Sequence, residues 1–175
     1  MINIRPATPA DVPTMLRFIH ELAIYEREPE AVIATEADLL RDGFSLAPDG
    51  TALNLPIRFR TLIAELIEDT ATTPAGFALF FNSYSTWLGH HGIRLEDLYV
   101  TPALRGKGIG RALLTNLARI AIDEDCPRLE WDVLDWNEPA IAVYHRLGAR
   151  MQTEWRIMRL SGDALTALAA QNDLS

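Results

Sequence analysis

The sequence predicts an α/β fold in which helices cover both faces of a mixed sheet. Strand-like segments, rich in β-branched and aromatic residues, are interleaved with segments of helical periodicity in the order β-α-α-β-β-β-α-β-α-β, with a closing helix. The 175 residues contain no repeat, low-complexity segment or linker. We therefore expect a single domain over residues 1–175.

The N-terminal part predicts one short strand and two helices. Residues 2–5 are strand-like, and apolar residues recur at helical spacing over residues 11–25. Thr35 and Asp38 are spaced as a capping box, which predicts a second, shorter helix that ends at Gly43.

The middle of the chain predicts a hairpin and a further strand. Residues 60–67 and 76–84 are rich in strand-forming side chains, and the polar stretch 68–74 joins them. In the next predicted strand, residues 95–100, Glu96 and Asp97 place two carboxylates in an otherwise apolar run. Charged residues are rarely buried without a partner, so this pair indicates a functional site.

A glycine-rich segment, Arg-Gly-Lys-Gly-Ile-Gly at residues 105–110, precedes a predicted helix over residues 111–123. Alternating glycines let the backbone turn tightly, and the helix adds its positive dipole end, so the segment suits a phosphate group. The spacing excludes two common nucleotide motifs. G-x-G-x-x-G would need a small residue at Arg111, and G-x-x-x-x-G-K-[ST] is absent.

The C-terminal part predicts two strands and two helices. Residues 129–134 alternate as a strand, and a short helix follows with Asn137 as its N-cap and Gly148 as its C-cap. A last strand is predicted over residues 155–160, and a closing helix over residues 163–171.

Composition bounds the class of protein. The net charge of −8 argues against nucleic acid as a partner, and no apolar run approaches the roughly 18 residues of a membrane span. The charged N-terminus is not expected to be a signal peptide, and the lone Cys126 predicts a cytoplasmic protein without internal disulfides. We expect no metal site, because the adjacent His90 and His91 cannot both face one ion from a regular element.

The order of elements and the Arg-x-x-Gly-x-Gly loop after a strand ending in Val-Thr-Pro resemble the GNAT superfamily of N-acyltransferases. The resemblance narrows to the diamine (spermidine/spermine) and thialysine N-acetyltransferase family. The segments that carry it are residues 21–26, 35–44, 76–81, 84–89, 95–100 and 136–141, together with Tyr144, Gly148 and Ala149.

This resemblance implies a mostly antiparallel sheet with a splayed pair of strands that accommodates CoA. It implies direct transfer of an acetyl group from acetyl-CoA to a primary amine of a small cationic substrate, a polyamine, a diamine or a thialysine-like amino acid. It also implies a homodimer, in which Glu154 could reach across to the partner's site.

Two residues match the family's catalytic positions. Glu96 matches the position that the family uses as the base, which accepts the amine proton through water, and Tyr144 matches the acid that protonates the CoA thiolate. A carboxylate and a phenol are suited to these proton transfers, because an amine with a pKa of about 10.4 is almost entirely protonated at pH 7 and must lose a proton before it attacks.

The CoA site implied by the resemblance consists mainly of backbone groups. The Leu98 N–H is expected to donate to the thioester oxygen, and Asn137 to contact CoA with its side chain. The remaining residues expected at the cofactor are Tyr99, Val100, Arg105, Gly106, Lys107, Gly108, Ile109, Gly110, Arg111 and Tyr144.

Carboxylates and aromatic rings are expected around the cationic acceptor, since both attract ammonium groups. They are Tyr25, Glu26, Trp87, Glu96, Asp97 and Glu154. The family commonly has an acidic residue at the position of Ser85, so this chain departs from it there. A shorter diamine or a thialysine-like amino acid could therefore be the better acceptor.

Two other functions fit parts of the pattern. An acetyltransferase for a protein or peptide amine would also use an acidic groove. A non-catalytic acyl-CoA sensor would keep the glycine-rich loop but has no need of Glu96 together with Tyr144.

Overall fold

The computed structural model describes residues 1–69 and 71–171. Contacts along the chain divide it into two units, Met1–Leu134 and Asp135–Ser175. Residue 70 in the predicted hairpin connection and residues 172–175 at the end of the predicted domain lie outside the described residues.

The first unit contains a five-stranded sheet and three α-helices. The strands are ordered β1-β2-β3-β4-β5, and all neighbouring pairs are antiparallel except β4 and β5, which are parallel. The predicted mixed, mostly antiparallel sheet is therefore confirmed. In chain order the elements are β1 (Ile2–Pro6), α1 (Val12–Tyr25), α2 (Glu36–Phe44), β2 (Arg60–Glu68), β3 (Ala71–Ser85), β4 (His90–Val100), α3 (Ile109–Asp123) and β5 (Leu129–Glu130).

One face of the sheet packs against α1 and α2. Phe18 of α1 is fully buried, with its ring centroid 5.7 Å from that of Phe77 in β3 and 5.5 Å from that of Tyr99 in β4. Met15 of α1 and Leu39 of α2 complete this core. Burying such side chains contributes about 1.5–3 kcal/mol each, which holds the N-terminal half of α1 against β3 and β4.

The other face packs against α3. Successive strand residues point to opposite faces, so Val100 lies on the face opposite to Tyr99. A Cβ placed on Gly110 in the first turn of α3 would lie 3.8 Å from Val100 Cγ2. Ile109 and Leu113 of this helix are buried. Helices on both faces of the sheet, as predicted, are thus confirmed.

The predicted helix signals hold with small changes of boundary. Thr35 and Asp38 form the capping box, in which Thr35 Oγ1 accepts a hydrogen bond from the Asp38 N–H. The second helix continues one residue past Gly43 to Phe44, because the left-handed conformation of Ser45, with φ of 57°, is what ends it.

Predictions for the strands were less accurate. β4 begins at His90 instead of residue 95, and β5 ends at Glu130 instead of residue 134. The predicted strand over residues 155–160 is wrong, since these residues form no strand in the structure. A strand exists only through its ladder, and residues 155–160 have no ladder partner among the described residues.

The second unit contains two helices, α4 (Glu138–Arg146) and α5 (Gly162–Ala169). The predicted caps of α4 are confirmed: Asn137 Oδ1 accepts a hydrogen bond from the Ala140 N–H at 3.4 Å, and Gly148 follows the helix with φ of 91°. No helix among the described residues is long and apolar enough to cross a membrane.

Candidate active site

An open strand edge lies where β4 and β5 separate. Among the described residues, β5 pairs with β4 only at Ile93 and Arg94. An ion pair between Arg94 and Asp132 lies at the point where the two strands separate. From Leu95 to Val100, β4 therefore pairs with β3 on one side, and no strand among the described residues pairs with its other side.

The direction of the backbone groups on this edge follows from the ladder. The Thr101 N–H donates to the Ala75 carbonyl oxygen at 2.9 Å, so Thr101 faces β3. Successive residues of an antiparallel pair alternate between facing the partner and facing away. The N–H groups of Leu98 and Val100 accordingly point to the open edge, whereas that of Tyr99 points to β3.

Glu96 occupies a β-bulge on this strand. Leu79 lies opposite Asp97 and Phe80 lies opposite Leu95, which leaves Glu96 as the extra residue of β4. A bulge bends its strand and redirects side chains, and here it coincides with the end of the β5 ladder. Glu96 is exposed, whereas Asp97 is half-buried.

Three carboxylates interact at this position. Burial, followed by the negative charges of Glu96 and Glu26, raises the pKa of Asp97 to about 6. Desolvation also raises the pKa of Glu26, which directly follows α1. We name Glu26, Glu96 and Asp97 the acidic group. It unites predicted residues that lie about 70 positions apart in the sequence, and its negative charge favours a cationic ligand.

The glycine-rich loop joins the end of this edge to α3. Gly106 and Gly108 have φ values of 78° and 86°, in the left-handed region, and a Cβ on either would meet no atom within 4 Å. Glycine is therefore required here by backbone conformation and not by packing. The helix starts at Ile109, two residues earlier than predicted, with Gly108 as an N-cap that supplies no side-chain acceptor.

The first turn of α3 can bind an anion through its backbone. The first N–H groups of a helix have no partner within it, and they lie at the positive end of the dipole. Ile109 is 1% exposed and anchors this turn in the core, while Lys107 and Arg111 are exposed beside it. A pyrophosphate is the kind of group that this arrangement can hold.

Arg105 has a more specific environment than the sequence indicated. Its guanidinium carbon lies 4.6 Å from the centroid of the Tyr25 ring, and its Nε donates to the Val100 carbonyl oxygen at 3.0 Å. Tyr25 is the last residue of α1. The side chain thus points towards the end of α1 and contacts the open strand edge.

Glu21 is a contributor that sequence reasoning did not single out. Burial and a hydrogen bond with the Glu21 carboxylate raise the pKa of Tyr99 to about 12, so the phenol stays protonated. An Arg17–Glu21 ion pair of 2.9 Å is spaced i, i+4 along α1, and that spacing was the available signal. Together these contacts hold the C-terminal turn of α1 against β4.

Trp87 and Ser85, at the turn between β3 and β4, differ in their exposure to solvent. Trp87 is 86% exposed at this turn. Ser85 is buried, and its Oγ accepts a hydrogen bond from the Leu88 N–H at 3.3 Å. The hydroxyl at the position where the family commonly has an acid therefore stabilises the turn.

Three predicted residues belong to the second unit. Tyr144 lies on α4 and is half-buried, Asn137 is the N-cap of that helix, and Glu154 is exposed between α4 and α5. Asn137 and Tyr144 are seven residues apart, which places them on the same side of the helix.

Among the described residues, one cluster of side chains that can bind metals consists of His91, Glu124 and Cys126, whose ligand atoms all lie within 4.8 Å of one another. The sequence did not predict this grouping, because Cys126 comes from the segment after α3 and His91 from β4. Both Glu124 carboxylate oxygens already accept hydrogen bonds from Arg60. The guanidinium satisfies the carboxylate and opposes a second cation beside it.

An open strand edge with outward N–H groups, a glycine-rich loop at its end and an acidic group beside it form an arrangement that suits a class of enzymes, the acyltransferases. Residues 25–149 match the Acetyltransferase (GNAT) family. The chain belongs to this family. It is an N-acetyltransferase, and acetyl-CoA is the co-substrate of its family.

Relatives with named activities are similar over almost the full chain. The chain is 37% identical over 177 residues to thialysine N-epsilon-acetyltransferase from Bos taurus, covering 97% of this chain and 98% of the relative. It is 34% identical over 204 residues to L-ornithine N5-acetyltransferase NATA1 from Arabidopsis thaliana, covering 97% and 89%. The predicted resemblance to this subfamily is confirmed.

A solved structure supports the fold. The integron cassette protein VCH_CASS6 from the V. cholerae mobile metagenome matches with a TM-score of 0.73 and 26% identity, covering 97% of this chain and 98% of that one.

Proposed function

We propose that this enzyme transfers the acetyl group of acetyl-CoA directly to the terminal primary amine of a small cationic substrate. The observation that carries the proposal is the position of the acidic group, which brings Glu26 from the end of α1 close to Asp97 beside the bulge of β4. A cationic amine held there lies beside the strand that binds the thioester in our proposal.

We propose a thialysine-like amino acid as the preferred acceptor, ahead of polyamines and diamines. Relatives named for thialysine and ornithine acetylation support this choice, since both compounds are amino acids with a terminal amine. The buried Ser85 hydroxyl supports it further, because this position adds no negative charge for a second distant ammonium group.

The chemical step is assigned to three groups. Glu96, through a water molecule, removes the proton from the ammonium, and the free amine nitrogen attacks the thioester carbonyl carbon. The Leu98 N–H stabilises the negative charge that develops on the carbonyl oxygen. The carbon–sulfur bond then breaks, and Tyr144 gives its proton to the departing thiolate. The attacking nitrogen loses its second proton as the amide forms, and this proton restores the Tyr144 phenol through solvent.

Binding is assigned to the remaining residues. The N–H groups of residues 106–111 hold the pyrophosphate, with the Lys107 and Arg111 charges beside them. Val100 and Tyr99 are proposed along the pantetheine arm, and Asn137 beside CoA. Tyr25, Glu26, Trp87, Asp97 and Glu154 are proposed around the acceptor.

The proposal includes a single catalytic domain, a homodimer and a cytoplasmic location. The family match spans residues 25–149 and so runs through both units of the chain, which supports one domain. The single buried Cys126 suits a reducing compartment.

The net charge of −8 leads us to propose no nucleic-acid partner. Light scattering after size exclusion measures the oligomeric state.

The test is release of the CoA thiol from acetyl-CoA with a panel of amines: thialysine, ornithine, lysine, putrescine, spermidine, spermine and a basic peptide. We expect saturable turnover with thialysine at the highest kcat/KM. A higher kcat/KM for spermidine would show that the preferred acceptor is a polyamine and not an amino acid. A higher kcat/KM for the peptide would show that the enzyme acts on a protein or peptide amine and not on a small molecule. A reaction without amine measures hydrolysis and is subtracted.

A further inference from the structure

Arg105 contacts three parts of the proposed site at once. Its own backbone starts the glycine-rich loop, and its Nε donates to the Val100 carbonyl oxygen on the open edge at 3.0 Å. Its guanidinium lies over the Tyr25 ring at 4.6 Å and also 5.8 Å from the centroid of the Tyr99 ring. A side chain that only bound phosphate would need none of these protein contacts.

Tyr25 connects Arg105 to the acceptor side of the proposed site. It is the last residue of α1, and Glu26 of the acidic group follows it directly. The Glu26 N–H closes the helix by donating to the Leu22 carbonyl oxygen at 2.8 Å, and Arg27 turns the chain away with φ of 68°. The direction of Glu26 therefore depends on where the end of α1 is held.

The electrostatics fit a contact within the protein. The face of a tyrosine ring is negative and attracts a guanidinium, and Arg stacks flat on such rings. The negative end of the α1 dipole lies at its C-terminus, where a cation is favoured. Arg105 places its positive charge both over the tyrosine ring and at this end of the helix. Its Nε donates a hydrogen bond to a carbonyl oxygen of the strand that forms the edge.

We propose that Arg105 is a positioning residue that couples the acetyl-CoA loop to the acceptor side of the site through its stack on Tyr25. This inference rests on the proposed function, whose acceptor side contains Glu26. Fixing the loop and the strand edge with acetyl-CoA fixes Arg105, which holds the end of α1 and orients Glu26 towards the amine. Amine binding is therefore tighter when acetyl-CoA is present, and the coupling is reciprocal.

The kinetic test separates the two substrates. Arg105→Gln should raise the KM for the amine about tenfold, the scale of a partly desolvated cation–π contact. Lys107→Gln is the matched control, because it removes one positive charge from the same loop and keeps the stack of Arg105 on Tyr25. It should change the KM for acetyl-CoA and leave the KM for the amine unaltered.

Variants at Tyr25 complete the test. Tyr25→Leu removes the ring face and should raise the amine KM at least as much as Arg105→Gln does, whereas Tyr25→Phe keeps the ring face and should raise it much less. The double variant Arg105→Gln/Tyr25→Leu should be no worse than either single variant, since both remove the same contact. Multiplicative losses in the double variant would mean independent roles and would overturn the proposal.

A readout without turnover checks the stack itself. In NMR spectra of arginine side chains, the Arg105 Nε–H signal should carry a ring-current shift that Tyr25→Phe retains and Tyr25→Leu reduces, since the more distant Tyr99 ring remains. An unshifted signal in the wild-type enzyme overturns the coupling. If the wild-type enzyme turns over none of the amines, the proposed function is refuted. If the enzyme is active but Arg105→Gln leaves its KM for the amine unchanged, only the positioning role is refuted.

Discussion

Replacing Asp97 with asparagine should stabilise the protein at neutral pH while weakening amine binding. Asp97 is half-buried, and burial together with the charges of Glu96 and Glu26 raises its pKa from 3.8 to about 6. The folded protein therefore disfavours the ionised form. At about 1.4 kcal/mol for each pKa unit, ionised Asp97 costs the folded state up to about 3 kcal/mol above pH 6.

The sign of the pH dependence follows from this raised pKa. Between pH 3.8 and about 6, the folded state binds more protons at Asp97 than the unfolded state does. The free energy of unfolding contributed by this residue therefore falls as pH rises through that window. Asp97→Asn removes the ionisation, so the variant should be more stable by up to about 3 kcal/mol above pH 6 and equal to the wild type below pH 4.

Urea unfolding of both proteins at pH 4 and at pH 7.5 measures this difference. Glu30→Gln is the control, because Glu30 is an exposed carboxylate outside the acidic group, and it should change stability little. The Asn variant should also show a raised KM for the amine, since its carboxylate partner is lost. A stability difference that is the same at both pH values, or a destabilised variant at pH 7.5, would refute the reasoning.

Three further predictions follow from the site. Tyr144→Phe should lower kcat by at least about a hundredfold while the acetyl-CoA Kd measured by calorimetry stays unchanged, because it removes only the proposed proton donor; unaltered turnover would remove Tyr144 from that role. Gly108→Ala should cost about 1–2 kcal/mol and raise the KM for acetyl-CoA, since alanine is strained in the left-handed region, whereas Gly50→Ala, with the comparable φ of 85°, should cost stability alone. The kcat/KM for the amine should rise with pH through about 6 as Asp97 ionises, and this limb should be missing from the pH profile of Asp97→Asn.

The helices and their caps could be predicted because their signals are local. The capping box of Thr35 and Asp38 and the N-cap Asn137 depend only on residues three positions away. The predicted strand over residues 155–160 failed because a strand depends on a partner that its own sequence does not specify.

The candidate site divides in the same way. The glycine-rich loop and the carboxylates on β4 were visible in the sequence, because their residue types are unusual for their elements. The bulge at Glu96 was not, since it arises from the register of β4 against β3. The stack of Arg105 on Tyr25 joins residues 80 positions apart, and only the packing of α1 on the sheet brings them together.

The central claim is transfer of an acetyl group from acetyl-CoA to the terminal nitrogen of a small cationic amine. The most direct measurement uses acetyl-CoA labelled with ¹³C at the carbonyl carbon and thialysine, with the product identified by NMR and free CoA quantified in parallel. We predict one labelled amide, on the terminal nitrogen, for each CoA released. Release of CoA with the label recovered only as acetate, or as an amide on the α-nitrogen, would contradict it.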